Sequence, residues 1–197
     1  MVTIACLKCV EEIEQCEKLP IAQKLWGTVS SIEAFGQMGY IEEKEWVVKL
    51  TAMERNPLTT FENNEEPVYR DSALEVFLNF AIERDEYLNL EVNSNGALLC
   101  HFGQKGKRAP IASRTDKKVQ VLAKTLEDKW SVLLRVPYDL IRECFGEQKL
   151  ESGSRMAFNL YKICESKSNL HFISHTVIPT EKPDFHQPAY FADGILE

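Results

Sequence analysis

The chain has 197 residues, 44% of them hydrophobic and 27% charged, and a formal net charge of −7 at pH 7. A chain of this length predicts one domain that folds around its own core without needing a disulfide or a metal. No apolar run approaches the roughly 18 residues that a membrane-spanning helix needs, and acidic residues outnumber basic ones. We therefore expect neither a membrane nor a nucleic acid among its partners.

The first 25 residues lack the pattern of a secretory signal, because no basic segment precedes an apolar one and acidic residues follow from Glu11. This predicts a cytoplasmic protein whose six cysteines are reduced thiols. Cys6 and Cys9 have the spacing of half a zinc site, but no second pair completes it. We treat 1–197 as a single domain in which 1–25 is an extension of undetermined structure, with Trp26 as its anchor.

From Trp46 onward, apolar residues recur at every second position, which is typical of strands packed on one face. The first two predicted strands are 72–82 and 87–93, and the turn residues Ser94, Asn95 and Gly96 lead into a third at 97–102. Further strands are predicted at 119–125, 130–136, 155–163, 172–178 and 194–196. A short helix is predicted at 138–144, ending before Gly146.

This order of elements predicts an all-β fold: an antiparallel β-sandwich of jelly-roll or immunoglobulin-like topology, with one or two short helices. Trp130, on an alternating strand, is expected in the core. The stretch 104–118 is the one basic segment of the chain, and we interpret it as a solvated connector in preference to a polyanion site. Residues 184–192 form an aromatic, proline-containing loop.

The polar face of the first hairpin has an unusual composition. Glu75 and Phe77 on one strand share it with Tyr87, Asn89 and Glu91 on the next. Carboxylates and amides can hydrogen-bond hydroxyl groups while aromatic rings stack on a flat apolar surface, and a sugar ring offers both. An ordinary half-exposed face, whose amides serve neighbouring loops, explains the pattern equally well.

A hydrolytic enzyme is the alternative that two carboxylates raise. The register that aligns the apolar stripes places Asn79 opposite Glu91, so that Glu75 and Glu91 would lie about 14 Å apart. Glycosidases use separations of about 5 to 9.5 Å. The four histidines, His101, His171, His175 and His186, have no metal-ligand spacing, and no nucleophile elbow or phosphate loop is present. The sequence therefore predicts no catalytic site.

Five segments in the same order resemble the bacterial family 9-like carbohydrate-binding modules, relatives of the sugar- and haem-binding DOMON-type sandwiches. They are PVYRDSALEVFL (67–78), YLNLEVNSNG (87–96), WSVLLRVP (130–137), FNLYK (158–162) and DFHQPAYF (184–191). The resemblance covers roughly residue 46 to the C-terminus. It implies a non-catalytic β-sandwich that holds a mono- or oligosaccharide between two aromatic side chains, with a carboxylate, amides and basic groups on its hydroxyls.

The resemblance also implies roles for individual residues. Tyr69 matches the first stacking aromatic, usually a Trp in that family, and Glu75 matches the carboxylate six residues later. Phe185 or His186 is the candidate for the second aromatic. The remaining candidates are Arg70 and Asp71 in the first matched segment, Asn89 and Glu91 on the polar face, and Asn159 and Tyr161 near the penultimate strand.

The same resemblance leaves three further possibilities open. Structural calcium is possible, although no cofactor is certain. The chain could be an accessory domain or subunit of a glycoside hydrolase. It could also be a DOMON-type sandwich that binds haem or a protein partner; haem would need an axial His or Met facing an apolar slot.

Overall fold

Alternating apolar side chains line the strands of two β-sheets that pack face to face. The computed structural model describes all 197 residues. The strands are β1 (Val2–Cys6), β2 (Leu19–Ile21), β3 (Gln23–Lys24), β4 (Glu33–Ile41), β5 (Glu45–Met53), β6 (Ala73–Asn79), β7 (Tyr87–Asn93), β8 (Leu98–Gly103), β9 (Ala109–Pro110), β10 (Gln120–Thr125), β11 (Trp130–Pro137), β12 (Arg155–Cys164), β13 (His171–Ser174) and β14 (Ala192–Leu196). This architecture confirms the predicted all-β class.

The front sheet, which carries the site described below, has the strand order β14-β12-β6-β7-β8-β9, and β13 and β3 continue it from the edge of β12. The back sheet has the order β10-β11-β5-β4, with β2 paired to β4. Pairing between these strands is antiparallel, as predicted. The topology therefore supports a two-sheet sandwich.

Strand β1 connects the two sheets. Its residues Val2 to Ile4 pair with Gly194 to Leu196 of the front sheet, and its last two residues pair with β4 of the back sheet. Both pairings are parallel, in contrast to the predicted antiparallel pattern. The N-terminal segment, whose structure the sequence left undetermined, thus contributes β1, β2 and β3 to the sheets, together with a 3-10 helix at Val10–Gln15.

The main core lies between the sheets and contains 35 buried residues. Trp46 and Trp130 are fully buried there, so the predicted core position of Trp130 is confirmed. Phe80 packs edge-on against Trp46, with 5.0 Å between ring centroids. Helix α1 (Tyr138–Phe145) follows Pro137, ends before Gly146 and closes the core with Leu140 and Ile141. No helix is long and apolar enough to span a bilayer.

A polar network is buried at one end of this core. The Lys162 ammonium, which is fully buried, donates to Ser72 Oγ at 2.6 Å and to His171 Nε2 at 2.8 Å. Glu54 Oε2 lies 3.4 Å from Lys162 Nζ and accepts from the Trp130 indole at 2.9 Å. Burial and the neighbouring ammonium lower the pKa of His171 to about 4. The positive charge of Lys162 is thus balanced by the negative charge of Glu54 inside the sandwich.

Candidate functional site

A cleft of about 460 Å³ opens on the outer face of the front sheet, the face turned away from the main core. Its floor is formed by alternate side chains of β6, β7, β8 and β12, and its walls come from loops. The residues that line it are Trp26, Tyr69, Glu75, Glu91, Leu99, His101, Arg108, Ile163, Glu165, Phe172, Pro183, Asp184, Phe185 and His186. Aromatic and acidic side chains predominate.

The two floor carboxylates are direct neighbours. Glu75 of β6 pairs with Glu91 of β7, whereas the predicted register placed Asn79 there. Directly opposed residues have Cβ atoms about 4.5 to 5.5 Å apart, so the predicted separation of about 14 Å is wrong, and with it the argument from distance against a catalytic pair. The two registers differ by an even number of residues, and the apolar pattern therefore cannot distinguish them.

The turn after β6 sets the true register. The Asn79 side chain donates to the Arg84 carbonyl at 2.7 Å and accepts from the Ala81 amide at 2.8 Å. These bonds end β6 at Asn79, before the predicted end at residue 82, and hold residues 80–86 as a broad connection, while β7 begins at Tyr87 as predicted.

Burial controls the protonation of both carboxylates. Glu75 is 2% exposed and Glu91 is 5% exposed. Burial and the charge of Glu91 raise the pKa of Glu75 well above its usual range. Burial also raises the pKa of Glu91 to about 7, although Arg108 and a hydrogen bond from Asn89 Nδ2 at 2.8 Å oppose the shift. The pair therefore holds protons at pH values where exposed carboxylates have lost them.

Arg108 brings a cation to the cleft from the connector after β8. Its Nη1 donates to the Tyr87 hydroxyl at 3.0 Å and to His186 Nε2 at 2.8 Å. The same Nη1 also lies against His186 Nδ1. The His186 ring also stacks on Phe77, with 4.9 Å between centroids. Arg108 Nε is buried without a protein partner, and so is Asn89 Oδ1.

Aromatic rings form one wall of the cleft. The Trp26 ring lies 5.5 Å from Phe172 and 5.4 Å from Phe185, and its indole donates to the Thr180 carbonyl at 2.7 Å. Phe185 stacks on Tyr161 at 4.1 Å. Trp26 has a φ of +48°, which turns the chain sharply at this point. The interpretation of Trp26 as an anchor of the N-terminal segment thus missed its place in the cleft.

Half of the predicted site residues line the cleft: Tyr69, Glu75, Glu91, Phe185 and His186. The other half do not. Asp71 is buried and accepts hydrogen bonds from Thr60, Phe61 and Asn93, and the Asn159 amide bonds Thr176. Arg70 is exposed outside the lining, Asn89 supports Glu91, and the Tyr161 hydroxyl donates to the Phe185 carbonyl at 3.1 Å.

Several lining residues were not predicted. Leu99 and His101 follow the alternation of β8, which could have placed them opposite Glu91 and Asn89. Asp184 directly precedes Phe185 in the aromatic loop. Arg108 lies in the basic stretch interpreted as a solvated connector, and no local pattern distinguishes it from the lysines around it. Trp26 comes from the far end of the chain, which periodicity cannot reveal.

A metal site does not form among these groups. No three His, Cys, Asp or Glu side chains are arranged to hold an ion. Calcium also takes backbone and side-chain amide oxygens, so the structural calcium that the sequence resemblance raised stays a prediction. All six cysteines are free thiols.

A family model and several solved structures match this chain over nearly its whole length. The family model described as carbohydrate-binding family 9 matches residues 12–196. A protein from Bacteroides uniformis, thought to bind carbohydrate, is 19% identical, with a TM-score of 0.82 over 100% of this chain and 99% of that chain. No curated protein matches the chain.

Two further structures are of a family 9 carbohydrate-binding module from Caldicellulosiruptor kristjanssonii. One is in complex with glucose, with 15% identity and a TM-score of 0.72 over 100% of this chain and 95% of that chain. The other is in complex with cellotriose, with 14% identity and a TM-score of 0.71 over 100% of this chain and 93% of that chain. At these identities the similarity establishes the shared fold.

Proposed function

The chain belongs to carbohydrate-binding family 9, and from this premise we propose that its cleft binds a mono- or oligosaccharide without hydrolysing it. The observation that carries the proposal is the presence, in one cleft, of aromatic rings beside buried carboxylates. A sugar presents an apolar face of C–H groups and a rim of hydroxyls, and it needs both kinds of partner. The glucose and cellotriose complexes of similar folds support a saccharide as the ligand.

Each group in the cleft has a defined part in the proposal. The half-buried rings of Trp26 and Tyr69 offer flat surfaces for the apolar face of the sugar. Glu75 and Glu91 accept hydrogen bonds from hydroxyls, and Arg108 Nε supplies a donor that no protein group uses. The volume, about 460 Å³, lies within the range of small-molecule sites.

The placement of the two carboxylates favours binding over hydrolysis. A glycosidase needs its two carboxyl groups on either side of the scissile bond. Glu75 and Glu91 instead stand side by side on adjacent strands of one floor. A ligand lying on that floor meets both from the same side.

Calorimetry with glucose and cellotriose tests the proposal, and a glycan array widens the search. Tyr69→Ala removes a stacking surface and Glu75→Gln replaces a carboxyl group on the cleft floor with an amide, so we expect each to weaken binding by about tenfold. Tyr190→Ala, which truncates an exposed aromatic outside the cleft lining, is the matched control and should bind normally.

Three outcomes would contradict parts of the proposal. If no saccharide binds the wild-type protein, the proposed function is wrong. If both cleft variants bind as tightly as wild type, the site is wrong. Release of reducing sugar from oligosaccharides, lost in Glu75→Gln, would show that the cleft is catalytic.

A further inference from the structure

The charges that line the cleft are strongly unbalanced. Four carboxylates, those of Glu75, Glu91, Glu165 and Asp184, face one guanidinium, that of Arg108. Asp184 is already paired with Lys105 at 2.5 Å, and His101 is bonded to Glu65 at 2.8 Å. The carboxyl groups of Glu75, Glu91 and Glu165 are therefore left without a close cation, and burial raises the pKa of each.

The floor pair has no ion-pair partner within 4 Å, and Arg108 lowers the pKa of its members only from a greater distance. The only hydrogen bond to either side chain is the one that Asn89 donates to Glu91. Neither carboxylate is within 4 Å of a Lys, Arg or His nitrogen, since the Arg108 Nη1 group is directed at Tyr87 and His186. Two buried carboxylates side by side repel each other, and buried charges are normally paired.

A ligand with a positive charge would supply the missing partner. A primary ammonium has three donors and no acceptor, so it can bond both carboxylates at once. A neutral hydroxyl has a single donor and no charge. Resting on the proposed function, we infer that the Glu75 and Glu91 pair makes this cleft selective for an amino sugar, with its primary ammonium group on the floor, over the neutral sugar of the same configuration.

The surrounding groups agree with this assignment. Glu165, which follows β12, adds a carboxylate near the opening and has no ion-pair partner within 4 Å. The raised pKa of Glu75 and of Glu91 reflects the protein without such a partner, and a bound ammonium would favour the ionised forms. The preference for the amino sugar should therefore weaken in acid, where the pair takes up protons.

Calorimetry on the full chain at about pH 7 tests the inference with three matched pairs: glucosamine and glucose, galactosamine and galactose, mannosamine and mannose. We expect at least one amino sugar to bind about tenfold more tightly than its neutral partner, because hydrogen bonds to charged groups are the stronger ones. That ratio should fall at about pH 5.

Glu91→Gln keeps the size of the side chain and removes one charge. It should weaken the binding of the amino sugar more than that of the neutral sugar, so that the ratio between them falls severalfold. Glu83→Gln, in the exposed turn between β6 and β7, is the matched control and should keep the wild-type preference. Thermal unfolding of each variant verifies that it is folded.

The results separate the inference from the function on which it rests. If neutral sugars bind as tightly as amino sugars, and Glu91→Gln does not change the ratio of their affinities, the inference is wrong and the saccharide site is unaffected. Failure of every saccharide on the array to bind would overturn the proposed function and the inference together.

Discussion

Glu91 is a carboxyl group buried in the floor of the cleft, where it costs the fold stability. It is 5% exposed, and burial together with the charges of Glu165 and Glu65 raises its pKa, while its own charge raises the pKa of the neighbouring Glu75. A site optimised for stability alone would place an apolar residue here. The retained carboxylate therefore indicates a role outside folding, in agreement with a ligand that meets it from the cleft.

Because the pKa of Glu91 differs between the folded and unfolded chain, the free energy of unfolding should depend on pH. The pKa of Glu91 is about 7, against an ordinary value of 4.5, so between these limits the folded chain holds a proton that the unfolded chain has lost. The free energy of unfolding therefore falls as pH rises through that window. We expect Glu91→Gln, which has no such proton, to gain stability relative to wild type between pH 5 and pH 8.

Urea unfolding of the wild-type protein and of Glu91→Gln, each at about pH 5 and about pH 8, measures this difference in stability. His171 acts in the opposite direction, because its pKa of about 4 lies below its ordinary 6.5 and makes the fold less stable in acid. Its contribution is present in both proteins and cancels in their difference. A difference that does not change with pH would show that Glu91 ionises as freely as in the unfolded chain.

Among the elements, β6, β7 and β11 were predicted well because each alternates strictly between a core face and another surface. The polar face shared by β6 and β7, with Glu75 and Glu91 on it, follows from that alternation, whereas Tyr69, Phe185 and His186 were predicted from the family resemblance. The β6 to β7 register, by contrast, depends on side-chain bonds of Asn79 within the turn. Arg108 and Trp26 reach the cleft through loops, where spacing along the chain carries no information about position.

Strand β4 escaped prediction for a different reason. It is buried along most of its length, and Gly36 interrupts the apolar alternation of Ala34, Met38 and Tyr40 on its core face. A Cβ at Gly36 would lie 2.6 Å from Leu160 Cδ1 and 3.0 Å from Leu50 Cδ2, both in the packed core. Leu160 and Leu50 on other strands fill the space beside Gly36, and the sequence of β4 alone contains no sign of them.

Gly36→Ala should therefore destabilise the fold by about 1 to 3 kcal/mol through overpacking. Gly194→Ala is the comparison, because the atom nearest to its added Cβ is the Met156 sulfur at 2.8 Å, in a flexible side chain that can move aside. Urea unfolding of both variants measures the free energies. If Gly36→Ala and Gly194→Ala lower the free energy of unfolding by the same amount, the leucines around Gly36 can move aside as easily as the Met156 side chain.

For the molecule as a whole, the decisive contact is made by β1, which belongs to both sheets. It covers an edge of β14 and an edge of β4, and its Ile4 is 1% exposed within the main core. The floor of the cleft lies on the front sheet, so the geometry of that floor depends on how firmly the front sheet is held against the back sheet. The N-terminal strand is therefore integral to the sandwich.

Deleting residues 1–6 should lower the free energy of unfolding by more than about 3 kcal/mol, since it removes a buried Ile and leaves two strand edges unpaired. Thermal and urea unfolding measure the loss, and light scattering detects association through the exposed edges. Deleting Met1 alone, which is 76% exposed, is the control and should have little effect. An unchanged unfolding midpoint in the longer deletion would show that β1 is dispensable.

The parallel pairing of Val2 to Ile4 with Gly194 to Leu196 also determines how the molecule bears tension. A pull on the two ends of the chain draws β1 and β14 in opposite directions along their common axis. The hydrogen bonds between them are then loaded in shear, all together, whereas an unzipping geometry would break them one after another. Since forced unfolding is governed by the unfolding rate, we expect this short ladder to set the main barrier to unfolding under tension.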